Sequence, residues 1–169
     1  MRVNRLMAVG GAVAMLAVLA ACASGAGDGA APERTTAVDL PPTTGVFDYQ
    51  LGGDFDEVDA GDGFVAIDVV VRDATAKPLT GAYSICYVNG FQTQPGDADD
   101  WRDQPSLLLH DETGEAVADP EWPDEYVLDP STAAQRDGIL QVIGPIIDGC
   151  SVSGFDAVEI DNLDTWTRF

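Results

Sequence analysis

Glu159, Asp161, Asn162, Asp164 and Trp166 are concentrated in one stretch near the end of the chain, Gly154-Phe155-Asp156-Ala157-Val158-Glu159-Ile160-Asp161-Asn162-Leu163-Asp164-Thr165-Trp166. In a strand, successive side chains alternate between faces, so Val158 and Ile160 share one face and Glu159 and Asp161 the other. Two carboxylates then point the same way at the C-terminal end of a strand. Carboxylates move protons or attack carbon, a primary amide binds hydroxyls, and an indole stacks on a sugar ring, so this inventory suits carbohydrate chemistry. It also suits a solvated strand end or a cation site, and the residue types alone do not decide between them.

The elements that position this stretch are read upstream. Val46–Leu51 reads as a first strand closed by Gly52-Gly53, and Asp54–Gly63 as an acidic, solvated loop that lacks the terminal Glu of a calcium loop. Phe64–Val71 and Tyr83–Val88 are β-branched runs of the kind covered on both faces. The region from Phe91 to Pro123 reads as long and irregular, with Trp101, Trp122 and the short run Leu107-Leu108-Leu109. Asp129 as N-cap and Pro130 at the first helical position open a helix. Ile139, Leu140, Ile143, Ile146, Ile147 and Cys150 form its buried stripe, and Pro145 is expected to kink it. Val- and Ile-rich strands joined by crossovers imply an α/β fold with a parallel sheet, in which sites form at the C-terminal strand ends.

At the N-terminus, Arg2 and Arg5 precede an apolar run, Leu6 to Ala21, that ends in Leu19-Ala20-Ala21-Cys22. This resembles the lipobox of bacterial lipoproteins, which makes residues 1–21 a signal peptide and Cys22 the lipidated residue. Residues 22–44, rich in Ala, Gly, Pro and Thr, read as a flexible tether, and 45–169 as the globular domain. The protein is thus expected to be exported and held at the extracellular face of the cell membrane by its lipid alone. Eight basic against 29 acidic residues give a net charge of -21, which disfavours nucleic acid and favours cationic partners. The remaining cysteines, Cys86 and Cys150, are expected to form a disulfide in an oxidising compartment. His110 is the only histidine and no zinc spacing occurs, so neither metal nor cofactor is expected.

Phe47-Asp48-Tyr49-Gln50-Leu51, Ile85-Cys86-Tyr87-Val88-Asn89-Gly90, Trp122-Pro123-Asp124-Glu125 through Leu128-Asp129, and Gly154 to Asp164 stand in an order similar to that of glycoside hydrolase family 114. The resemblance runs from about Gly45 to Phe169, and its most specific part is the Glu-x-Asp-Asn-x-Asp core. It implies a (β/α)8 TIM-barrel fold and hydrolysis of an α-1,4-galactosamine-containing exopolysaccharide. By position it implies that Asp161 is the first catalytic carboxylate, with Glu159 as its neighbour. Asn162, Asp164, Tyr49, Tyr87 and Asn89 would line the sugar subsites, beside the Trp166 ring that its residue type already suggests for stacking. The family pattern has an acidic residue where Val70 stands, which leaves the second long run without a role. A partly deacetylated galactosaminan is cationic, so the acidic surface fits such a polysaccharide partner.

An eight-stranded barrel takes about 250 residues, whereas residues 45–169 hold about four βα units of roughly 30 residues each. The expectation is therefore about the first half of a barrel from a truncated chain, inactive or weak by itself, with its second catalytic carboxylate elsewhere. Glu159 and Asp161 would lie on the same side of a sugar rather than flank it. Two rival readings are a non-catalytic glycan-binding envelope lipoprotein and a purely structural one.

Overall fold

The computed structural model describes residues 38–97, 100–101 and 103–169; the signal segment, Cys22 and most of the tether lie outside the described residues. Among the described residues there are six strands: β1 (Phe47–Gln50), β2 (Glu57–Asp59), β3 (Phe64–Ala66), β4 (Val69–Asp73), β5 (Tyr83–Asn89) and β6 (Ala157–Asp161). One long helix, α1, spans Ala133–Ser153. The main sheet has the order β1-β4-β5-β6, with every neighbouring pair parallel. The fold is α/β and amounts to about half of a (β/α)8 barrel.

Register sorts the side chains into two faces. Tyr49 pairs with Val71, Val71 with Ile85 and Ile85 with Ala157, while Tyr87 pairs with Glu159 and Asn89 with Asp161. These residues share one face. Gln50, Arg72, Cys86 and Val158 are likewise in register and share the other. On that second face α1 brings Ile139, Ile143 and Cys150 against Cys86, Val88, Leu107, Leu128 and Phe155, with Trp101 completing the core. The Cys86–Cys150 disulfide ties β5 to the last turn of α1 across 64 residues of sequence. Arg72 is buried on the same face because Gln50 Oε1 and the carbonyls of Lys77 and Phe55 take its guanidinium hydrogens at 2.7–2.9 Å.

Several local expectations are corrected. Phe64–Val71 is not one strand: it breaks at Ile67-Asp68, and its first part pairs antiparallel with β2. The supposed loop from Asp54 is therefore half of a hairpin. The region after β5 is not irregular either. Antiparallel bridges join Gln92 to Val127, Leu108 to Leu128 and Ala118 to Tyr126, drawing this segment over the C-terminal end of β5.

Helix α1 starts at Thr132 and not at Asp129. A capping box lets the Thr132 hydroxyl accept from Gln135 N–H while the Gln135 side chain accepts from Thr132 N–H, satisfying two otherwise orphaned donors together. Asp129 instead accepts from Ser131 and from Gln135 Nε2. Leu140 leaves the buried stripe and is 62% exposed, and the helix passes through Pro145 without interruption. Gly154, at φ 93°, ends it with its N–H bonded to the Cys150 and Ser151 carbonyls, and the chain turns directly into β6.

Candidate active site at the C-terminal strand ends

The alternation in β6 places Glu159 and Asp161 on the face that carries Tyr49 and Tyr87. Asp161 is held at both oxygens: Tyr87 Oη donates to Oδ2 at 2.6 Å and Asn162 N–H donates to Oδ1 at 2.7 Å. Asn162 makes the second contact by taking φ 60°, a left-handed conformation that Asn tolerates better than most residues. The Tyr49 and Tyr87 rings meet edge-on, with centroids 6.3 Å apart. Gly90, just past β5, donates its N–H to the Asp161 carbonyl, and a Cβ there would collide with the Ile160 side chain. Only glycine lets the two strand ends approach this closely.

A polar network continues outward from β5. Asn89 Nδ2 donates to Glu125 Oε2 at 3.0 Å, and Asn89 Oδ1 accepts from Gln92 N–H and Asn162 Nδ2. Arg168 bridges Asn162 Oδ1 at 3.0 Å and Asp119 Oδ2 at 2.7 Å, and Gln92 Nε2 donates to the same Asp119 oxygen. The loop carboxylate Glu125 thus sits over the same strand ends as Asp161.

The electrostatics are those of crowded negative charge. Burial first, then the Asp161 charge, raises the Glu159 carboxyl above its ordinary value, while the Tyr49 hydroxyl pulls it back. Burial also leads in raising Glu125, opposed by the Asn89 amide and aided by Asp124, Asp119 and Asp161. Burial and then Glu159 push the Tyr49 phenol up to about 12. Burial and the hydrogen bond to Asp161 drive the Tyr87 phenol upward as well. Among the described residues Arg168 is the cation hydrogen-bonded into this network, and it is paired with Asp119. No group of three His, Cys, Asp or Glu among the described residues could hold a metal ion.

Of the residues singled out in the sequence, Tyr49, Tyr87, Asn89, Glu159, Asp161 and Asn162 come together. Asp164 and Trp166 do not join them. Asp164 is exposed and uses its carbonyl to cap a short 3-10 turn, Thr165–Thr167. Trp166 is 79% exposed and lines a separate cavity of about 390 Å3 with Phe91, Leu163 and Phe169. Sequence reasoning missed Gln92, Asp119 and Arg168, and noted Glu125 only as part of a motif. Its Trp-Pro-Asp-Glu turn was the one signal available.

A fixed carboxylate, two tyrosines and paired amides meet at the C-terminal ends of a parallel α/β sheet, the end at which barrel folds build their sites. Residues 27–169 match the model of glycoside-hydrolase family GH114. The chain belongs to that family. Among solved structures it is similar to Aspergillus fumigatus Ega3 in complex with galactosamine, at a TM-score of 0.52 and 22% identity, covering 77% of this chain and 49% of that one. It also matches the glycoside hydrolase domain of PelA from Pseudomonas aeruginosa at a TM-score of 0.43 and 18% identity, covering 75% and 47%. The chain therefore spans about half the length of both structures. No curated protein matches it.

Proposed function

We propose that this chain carries one half of a glycosidase site that cleaves α-1,4-linked galactosamine-containing polysaccharide. The observation that carries the reading is Asp161, fixed by Tyr87 Oη and by Asn162 N–H at the end of a parallel strand in a GH114 member. Such a carboxylate is oriented to attack the anomeric carbon or to activate water, and its orientation costs nothing further at the moment of reaction. Glu159 adds negative charge beside it, which favours the oxocarbenium-like transition state. Tyr49, Asn89 and Asn162 bind sugar hydroxyls.

Glycosidases flank the scissile bond with two carboxylates, about 5 Å apart for retention or roughly 6.5–9.5 Å for inversion. Glu159 lies two residues from Asp161 on the same strand face, so it approaches the sugar from the same side. Glu159 is therefore not the carboxylate that faces Asp161 across the scissile bond. That the complex of Ega3 holds galactosamine supports the choice of sugar. A chain of net charge -21 also suits a cationic, partly deacetylated polymer.

The test is reducing-end release from α-1,4-galactosaminan by this chain and by the same chain continued to the length of its relatives. The continued chain should cleave, and its Asp161→Asn form should lose at least about 100-fold in rate. Undiminished cleavage by that variant refutes the role of Asp161; no cleavage by either length refutes the hydrolase reading. We further propose that the protein is exported and anchored through Cys22. If Cys22→Ser leaves it in the membrane fraction, the anchor lies elsewhere.

A further inference from the structure

Three features outside the roles just given converge on one loop. First, Glu125 is half-buried, and the Asn89 amide occupies only its Oε2. Its other oxygen takes no protein hydrogen bond among the described residues. Asn89 cannot turn away, because its Oδ1 is held by Gln92 N–H and Asn162 Nδ2. Secondly, the described cation that is hydrogen-bonded into the network, Arg168, is committed to Asp119 and Asn162. Among the described residues no cation is therefore paired with Glu125 or Asp161, and Asp161 acts on Glu125 across the site. Thirdly, Trp122, 61% exposed, opens the turn that Glu125 closes, with Glu125 N–H donating to the Trp122 carbonyl at 2.9 Å. An exposed indole is an apolar platform on which a sugar ring stacks, and here a carboxylate stands three residues away on the same tight turn.

We infer that Glu125 reads the 2-ammonium group of a galactosamine unit, making it the residue that distinguishes deacetylated from N-acetylated sugar at this site. An ammonium supplies both the missing hydrogen-bond donor and the missing positive charge, whereas an acetamide supplies a neutral donor and adds bulk. The inference rests on the galactosaminan reading above and deepens it. Removing one charge-assisted hydrogen bond at a half-exposed site should change the affinity ratio about tenfold.

The experiment measures binding of an α-1,4-galactosamine oligomer and of its fully N-acetylated counterpart to the whole chain by calorimetry. The wild type should prefer the deacetylated oligomer. Glu125→Gln, which keeps an oxygen for Asn89, should lower that preference about tenfold. Glu57→Gln, which removes the same charge from the hairpin, should leave the preference intact. Equal losses in the two variants would mean that only bulk charge matters, and an unchanged ratio in Glu125→Gln would dismiss the residue; either overturns the inference. Equal wild-type affinity for both oligomers overturns it while leaving the glycan reading standing, and no binding of either overturns both. A readout that needs no variant is the side-chain carboxyl 13C resonance of Glu125 in the wild type. It should move when galactosamine is added and stay in place with galactose; the same response to both sugars counts against the inference.

Discussion

Replacing Asp119 with alanine should destabilise the fold by about 2–4 kcal/mol, since it leaves the buried Gln92 amide short of its main acceptor and takes the counter-charge from Arg168. Asp119 is 1% exposed and serves three donors with two oxygens: Arg168 Nη1 at 2.7 Å, Gln92 Nε2 at 2.8 Å and Glu121 N–H at 2.9 Å hold it, and Arg168 in turn holds Asn162. In Asp119→Ala the buried Gln92 amide keeps only a long contact to Thr165 Oγ1 at 3.4 Å, and Arg168 loses its counter-charge. Arg168 is partly exposed, with 34% of its side chain accessible, so water can replace it more readily. Arg168→Ala should therefore cost less, about 1–3 kcal/mol, although it leaves a buried carboxylate with two donors. Total stability of a domain is about 5–15 kcal/mol, so the Asp119 loss is readily measured by urea unfolding followed through Trp101 fluorescence, Trp101 being in the core.

The pH dependence has a definite sign. Burial alone would raise the Asp119 carboxyl, but the Glu121 N–H, the Gln92 amide and the Arg168 charge outweigh it and hold the group below its ordinary value. A folded-state value lower than the unfolded one, about 3.9, stabilises the fold above that pH and loses this contribution as pH falls through the folded value. The gap between wild type and Asp119→Asn should accordingly be widest near neutrality and narrow in strong acid. A loss under about 1 kcal/mol for Asp119→Ala at neutral pH would refute the structural role of the pair. So would a gap to Asp119→Asn that persists unchanged in acid.

Three other outcomes follow from the same geometry. Reducing the Cys86–Cys150 disulfide, which closes a 64-residue separation, should cost about 4 kcal/mol in chain entropy, visible as a lower urea midpoint with dithiothreitol; an unmoved midpoint contradicts it. Gly90→Ala should destabilise by about 1–3 kcal/mol through the clash with Ile160, and Ile160→Ala in the same background should recover part of that loss. Strict additivity of the two substitutions would show that the strand ends do not meet as described. The Tyr49 phenol should titrate near about 12, and Glu159→Gln should lower that value because the Glu159 charge is its second largest cause after burial. Titration of 13C-labelled tyrosine resolves this, and an upward shift in the variant is the refuting result.

What the sequence disclosed about the site follows from how each residue is carried. Glu159 and Asp161 lie on a strand, where a period of two assigns faces without knowledge of any partner, and register then places them with Tyr87 and Asn89. The Val- and Ile-rich runs were legible for the same reason, and β4 is indeed buried on both faces. Where two local signals competed, the sequence misled. Asp129-Pro130 is a sound helix start by residue type, but the Thr132–Gln135 box satisfies two backbone donors where Asp129 satisfies none of the helix's own. The strands β2 and β3 have three residues each, too few for a period to emerge from an acidic, glycine-rich stretch.

The residues that were missed are of another kind. Glu125 lies 36 positions from Asn89, which the sequence did single out, and Asp119 lies 49 from Arg168. All four meet because antiparallel bridges fold the segment after β5 back over the strand ends, and a bridge of one or two residues leaves no periodic trace. The strand-borne half of the site is thus written locally, one residue in two, while the loop-borne half exists only as tertiary contact. Loops vary more freely than the strands beneath them. In this fold the division places the fixed carboxylate, Asp161, on the scaffold. It puts Glu125, to which the proposal above assigns the choice between sugars, on the part most easily altered without disturbing the sheet.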